Sequence, residues 1–175
     1  WCARHHIGNE PFAILLADDL VMSETPCLAQ LVAVHAEFGG NVVAVEEVPA
    51  EQTNRYGVLE VESDDGRMAS VRGLVEKPDP AVAPSRLAII GRYVLKPEVF
   101  EHLSRFEKGA GGEIQLTDAM AKLICKAPFY GLRFEGKRFD CGDKVGFFEA
   151  NIAFALERPE LRDDIASVLK NYVKN

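Results

Sequence analysis

Residues 12–19 read Phe12-Ala-Ile-Leu-Leu-Ala-Asp-Asp19, an unbroken apolar run that ends in two acids. Its length suits a strand buried on both faces, the kind that parallel sheets use. Leu28, Leu31, Val32, His35 and Phe38 follow at helical spacing, and Gly39-Gly40 supplies a helix stop. Asn41 to Val48 is a second β-rich run. Strand, helix and strand in so short a stretch form a βαβ unit, which sets the fold class as α/β.

Outward from this unit the pattern changes. Tyr56 to Glu62 and Arg67 to Glu76 are strand candidates joined by Ser63-Asp-Asp-Gly66, where Asp-Gly signals a hairpin turn. Pro78, Pro80 and Pro84 mark a loop, and Leu87 to Leu95 is the next strand. Pro97 opens a short helix expected to reach Phe106. Gly109 to Gly112 reads as a flexible loop feeding a helix from about Glu113 to Lys126. Short strands at Phe129 to Phe134 and Lys137 to Cys141 flank Glu135-Gly136. Two amphipathic helices close the chain, Lys144 to Glu157 and Pro159 to Lys174. Such a pair either caps the sheet or joins subunits. His5 and His6 read as a loop.

The 175 residues fit one domain, or one domain with an appendage. With 47% hydrophobic and 27% charged residues, the composition is that of a globular chain and excludes disorder or a disulfide scaffold. A formal net charge of −7 argues against nucleic acid as a partner. Cys2, Cys27, Cys125 and Cys141 form no C-x-x-C motif and read as free thiols of a reducing compartment, so a cytoplasmic location is expected. No apolar run is long enough for a membrane span.

Three acidic positions sit at strand ends, where open α/β sheets collect ligands. Asp18-Asp19 suits a Mg²⁺, or equally a solvated turn. Phe139-Asp-Cys-Gly-Asp143 offers Asp140 as a second carboxylate for one metal site, whereas Asp143 also suits a helix N-cap. Glu76-Lys77-Pro78 pairs a carboxylate able to accept from vicinal sugar hydroxyls with a lysine able to meet a phosphate, although a surface turn looks the same. Successive strand side chains point to opposite faces, so joint action of Glu76 and Lys77 requires a local twist. Gly57 and Gly91 are isolated strand glycines that mark a bulge or a close backbone approach. The Walker loop and the nucleophile elbow are both missing from the sequence.

These pieces, in this order, resemble the bacterial UTP–glucose-1-phosphate uridylyltransferases. The likeness rests on L-L-A-D-D-L, V-A-V-E-E-V-P, R-Y-G-V, V-E-K-P, A-I-I-G-R-Y-V-L, G-A-G-G-E-I-Q-L-T-D and F-D-C-G-D-K, and covers roughly residues 2–158. It implies a truncated Rossmann-like nucleotidyltransferase fold: a mixed, mostly parallel sheet flanked by helices, with a C-terminal helical extension. Residues 1–143 would then be the C-terminal portion of the nucleotidyltransferase domain and 144–175 the extension.

The activity implied is Mg²⁺-dependent transfer of UMP from UTP to glucose 1-phosphate, giving UDP-glucose and pyrophosphate. By the resemblance Asp18, rather than Asp19, and Asp140 would hold the metal. Glu76 would bind glucose hydroxyls and Lys77 the phosphate. Gly57 and Gly91 would admit the sugar, and Glu113 to Asp118 would begin a helix lining the pocket, with Glu113 as a substrate contact. A homo-oligomer, dimer or tetramer, is also implied. Ala17 departs from the proline usual in the family. The family's Gly-rich triphosphate loop has no counterpart in these 175 residues. Trp1 to Arg4 would thus be the tail of a helix, the chain about three fifths of such an enzyme, and its turnover alone low. A thymidylyl- or adenylyltransferase, and a non-catalytic sugar-phosphate-binding module, are the alternative readings.

Overall fold

The structure, a computed structural model, describes residues 1–172. In chain order the elements are α1 (Arg4–Ile7), β1 (Phe12–Leu15), β2 (Asp19–Met22), α2 (Cys27–Phe38) and β3 (Asn41–Glu47). A 3₁₀ helix, Ala50–Arg55, leads into β4 (Gly57–Asp64), β5 (Met68–Glu76) and β6 (Leu87–Leu95). Next come α3 (Val99–Leu103), α4 (Leu116–Ala121), β7 (Phe129–Arg133), β8 (Lys137–Asp140), α5 (Lys144–Leu156) and α6 (Pro159–Tyr172). Among the described residues no helix is long and apolar enough to cross a membrane. The four cysteines are free thiols.

The six-stranded sheet runs β1-β6-β3-β7-β5-β4. Its centre is β6, whose nine residues are all buried. Alternation along the inner strands feeds two cores. Val43, Val45, Ile89, Tyr93 and Leu95 face one layer, built with Ala119, Met120 and Leu123 around α4. Val42, Ala44, Ile90 and Val94 face the other, where Cys27 and Leu31 of α2 cover them.

The sheet is mixed, as expected, but its neighbours pair mostly antiparallel. β6 lies between β1 and β3 and is antiparallel to both, so the ends of the βαβ unit run the same way without touching. The β4–β5 hairpin and the β5–β7 pairing are also antiparallel, and β3–β7 is the parallel pair. The expectation of a mostly parallel sheet therefore fits strand direction and not pairing. The reason is long-range: β6 reaches this slot from 40 residues beyond β3, and nothing in the local pattern announces it.

Local expectations shift at element ends. The helix expected from Glu113 to Lys126 is shorter. Gln115 is extended, and beyond Ala121 the chain tightens into i→i+3 turns (Leu123 N to Met120 O, 2.9 Å; Lys126 N to Leu123 O, 2.8 Å). The helix from Pro97 likewise contracts to α3. His5 and His6 belong to the one-turn α1 rather than a loop, and this turn stops at Gly8 with φ 68°. The last helix is α6; its expected end at Lys174 lies outside the described residues.

Candidate active site

β6 has two hydrogen-bonding edges. β3 takes one along most of its length. The other is divided: β1 pairs with Arg92 to Leu95, and β4 touches it at Val58 opposite Ala88. Between them, at Ile89 to Gly91, strands part and a cavity of about 430 Å³ opens. Leu16, Asp18, Tyr56, Gly57, Glu76, Lys77, Gly91, Tyr93, Thr117 and Asp140 are among its walls. Six of the seven residues singled out by sequence meet here. Glu113 does not: it is exposed, its carboxylate accepts from Gln115 Nε2 at 3.3 Å, and Gln115, Leu116 and Thr117 line the cavity in its place.

A second, two-stranded sheet brings the acids together. β2 pairs with β8 so that Asp19 stands opposite Asp140. Asp19 is buried. Its Oδ2 accepts from the Gly91 amide at 2.9 Å, and Oδ1 accepts from Arg138 Nε. It is an internal brace. Asp18, one residue earlier, is exposed; its carbonyl accepts from the Cys141 amide at 2.7 Å, while its carboxylate has no hydrogen-bond or ion-pair partner among the described residues. A Cβ added at Gly142 would stand 3.1 Å from Asp140 Oδ1 and 3.4 Å from Asp18 Oδ2, so the two carboxylates border the same small space. Asp143 caps α5 as the sequence implied, accepting from Val145 N at 2.8 Å and Gly146 N at 3.3 Å, and so leaves the site to Asp140.

Among the described residues no cluster of three or more His, Cys, Asp or Glu side chains forms a closed metal cage. Two adjoining carboxylates, one of them unpartnered, instead fit Mg²⁺, a hard cation that keeps several of its waters.

The placement of Glu76 and Lys77 is explained by backbone geometry. Gly57 and Glu76 are register partners across the β4–β5 hairpin, so their side-chain positions share one face. The lacking Gly57 side chain leaves that space to the Glu76 carboxylate, 3.1 Å from where a Cβ would be, and to Thr117 Oγ1 at 2.9 Å. Lys77 adopts φ 46°, a left-handed conformation uncommon for a side-chain-bearing residue. This turn brings Lys77 to the same cavity as Glu76, with Nζ 3.8 Å from Glu76 Oε1. Gly91 lines the cavity and also meets a packing constraint. Its amide is taken by Asp19, and a Cβ there would meet Leu16 Cβ at 2.6 Å and Asp19 Oδ2 at 2.7 Å. Here protein atoms, as well as cavity space, demand glycine.

Burial, and then the carboxylates of Asp19, Glu76 and Asp18, push the Tyr93 phenol up to about 12, so it faces the cavity as a neutral hydrogen-bonding group. Thr117 falls within the Glu113 to Asp118 stretch expected to line the pocket, whereas sequence reasoning missed Tyr93, Arg55 and Arg138. Arg55 stood in plain view beside Tyr-Gly, and Arg138 beside Phe-Asp.

A divided sheet edge, paired acids and a cavity at the strand ends define a class: α/β proteins with a polar ligand site at the carboxyl ends of the strands. The chain belongs to the nucleotidyl transferase family, whose model matches residues 1–157. It is 63% identical over 145 residues to the UTP–glucose-1-phosphate uridylyltransferase of Komagataeibacter xylinus, covering 83% of this chain and 51% of that protein. To the Bacillus subtilis (strain 168) protein of the same name it is 46% identical over 170 residues, 97% of this chain and 58% of the relative. A solved UDP-glucose pyrophosphorylase in complex with UDP-glucose superposes with a TM-score of 0.83 at 40% identity, covering 89% of this chain and 60% of that one. A UTP-bound UGPase from Acinetobacter baumannii gives a TM-score of 0.86 at 32% identity, covering 99% and 60%. The chain thus spans between half and three fifths of the proteins it matches.

Proposed function

We propose that this chain forms the sugar-phosphate and metal side of a UTP–glucose-1-phosphate uridylyltransferase. The observation that carries the reading is the meeting of the Asp18–Asp140 pair and the Glu76–Lys77 pair in one cavity of a nucleotidyl transferase fold. In the proposed reaction a phosphate oxygen of glucose 1-phosphate attacks the α-phosphorus of UTP. The new O–Pα bond forms as the bond to the bridging oxygen of pyrophosphate breaks. The attacking oxygen is already anionic, so no general base is required, and in-line positioning and charge stabilisation carry the rate.

Glu76 accepts from vicinal glucose hydroxyls, and Lys77, fixed in its left-handed turn, meets the sugar phosphate. Tyr93 and Thr117 add neutral polar groups to the cavity wall. Asp18 and Asp140 would hold Mg²⁺, whose chemistry is to neutralise charge on the reacting phosphates. UTP and UDP-glucose are the nucleotide partners, in a cytoplasmic enzyme. The protein acts as a homo-oligomer, dimer or tetramer, which sedimentation velocity tests: a single monomer boundary at every concentration refutes it.

The activity is tested by joining this sequence to the upstream segment of the K. xylinus relative and assaying sugar-nucleotide formation. UTP should outpace dTTP and ATP, and a preference for either competitor would reassign the base. Asp18→Asn should lower kcat/KM at least 100-fold, about 2.7 kcal/mol of transition-state stabilisation. An unchanged rate would instead make the chain a binding module. Glu76→Gln should raise the apparent KM for glucose 1-phosphate about tenfold with little change for UTP. Equal loss for both substrates would count against the sugar role.

A further inference from the structure

The cavity holds three cations, and they are not equivalent. Arg138 is 8% exposed and committed to Asp19, Glu46 and Asp140. Lys77 stands beside Glu76. Arg55 is half exposed, at 52%, and ends the 3₁₀ helix Ala50–Arg55. Its guanidinium donates to Asp140 Oδ2 at 3.2 Å and lies 5.6 Å from the Tyr56 ring centre. The Lys77 amide donates to the Tyr56 carbonyl at 2.9 Å, which ties the Lys77 turn to the residue next to Arg55. Arg55 and Asp140 also line a neighbouring hollow of about 280 Å³, so the guanidinium sits on the wall shared by both spaces.

We propose that Arg55 is an exchangeable counter-ion: it neutralises Asp140 before a divalent cation arrives, and then turns to the phosphate of the sugar phosphate as a second anchor beside Lys77. The inference rests on the metal and sugar-phosphate roles proposed above. The physical reason is competition for one carboxylate: Arg55 holds Asp140 Oδ2, and Oδ1 borders the space shared with Asp18, so a divalent cation there neutralises the charge that holds the guanidinium. A cation on Asp140 displaces a weak, half-exposed ion pair, which costs little to open. The released guanidinium then faces a cavity whose other accessible cation, among the described residues, is Lys77, already beside Glu76. Its planar fork matches two phosphate oxygens, which the point charge of Lys77 cannot do. Binding of the divalent cation and of the sugar phosphate is thereby coupled through one side chain.

Mn²⁺ binding followed by the EPR signal of free ion, and glucose 1-phosphate binding followed by calorimetry, test this on the 175-residue chain. In wild type each ligand should tighten the other. Arg55→Gln removes the competitor, so Mn²⁺ alone should bind about twofold to fivefold tighter. In the presence of Mn²⁺ the same variant should bind glucose 1-phosphate about tenfold more weakly. Arg55→Lys should fall between the two. Effects of opposite sign on two ligands separate this role from damage to the fold, which weakens both. Parallel weakening, or no change in either affinity, overturns the Arg55 role and leaves the site reading standing. Failure of the wild-type chain to bind either ligand overturns both.

Discussion

Asp18 and Asp19 are chemically identical neighbours in opposite settings, and burial separates them. Asp19 places one oxygen on the Gly91 amide and the other on Arg138, away from water. Breaking a buried ion pair by removing one charge costs about 3–5 kcal/mol. Asp19→Asn should therefore lower the free energy of urea unfolding by roughly 3 kcal/mol. Asp18→Asn should leave it within about 0.5 kcal/mol, as expected of an exposed side chain, while abolishing Mn²⁺ binding. Reversal of that order would show the roles to be exchanged. Gly91→Ala tests the same corner: its Cβ would enter within 2.7 Å of both Leu16 and Asp19. Overpacking of this kind costs about 1–3 kcal/mol, read as a lower urea midpoint.

At the scale of elements, the turn from β8 into α5 holds Asp140 in place. Asp143 satisfies two amides of the first turn of α5, and Asp140 sits just before it on β8. Asp143→Ala should cost about 1 kcal/mol, the usual value of an N-cap, visible as a lower melting temperature. Asp143→Ser should recover most of it, because a hydroxyl caps nearly as well. Short-range signals of this kind were legible in the sequence: the cap, the hairpin at Ser63 to Gly66, and the helix stop at Gly39. β2 was not. Its four residues follow directly on the acids, and they form a strand because β8, over a hundred residues later, supplies the partner. α4 was overextended for the opposite reason, since helix-compatible residues beyond Ala121 yield to i→i+3 turns.

For the whole molecule, alkaline stability follows from two buried acids. Burial pushes the Cys27 thiol from its ordinary 9.0 up to about 11, against the pull of Arg92. Burial, reinforced by Asp19, raises the Tyr93 phenol from 10.0 to about 12. Both groups keep their protons longer folded than unfolded. Their contribution is complete below the unfolded values and is lost as pH rises through the folded ones. Melting temperature should accordingly fall between pH 9 and 12, and Cys27→Ala should flatten the early part of that fall. A flat profile across the window would refute the assignment. The exposed Cys2 and Cys125 should react with a thiol reagent at pH 8 well before Cys27.

The sequence by itself determined the α/β class, the order of nearly all strands and helices, and six of the seven candidate site residues that the cavity unites. Those properties depend on local periodicity, turn chemistry and motif order, which neighbouring residues carry. Only the tertiary structure decided three further matters: that β6 separates the two ends of the βαβ unit, that Asp19 is a brace while Asp18 faces the cavity, and that Arg55 and Arg138 join the site. Each depends on partners dozens of residues away. Which oxygen is buried, and against which cation, is a property of packing across the chain and not of any stretch along it.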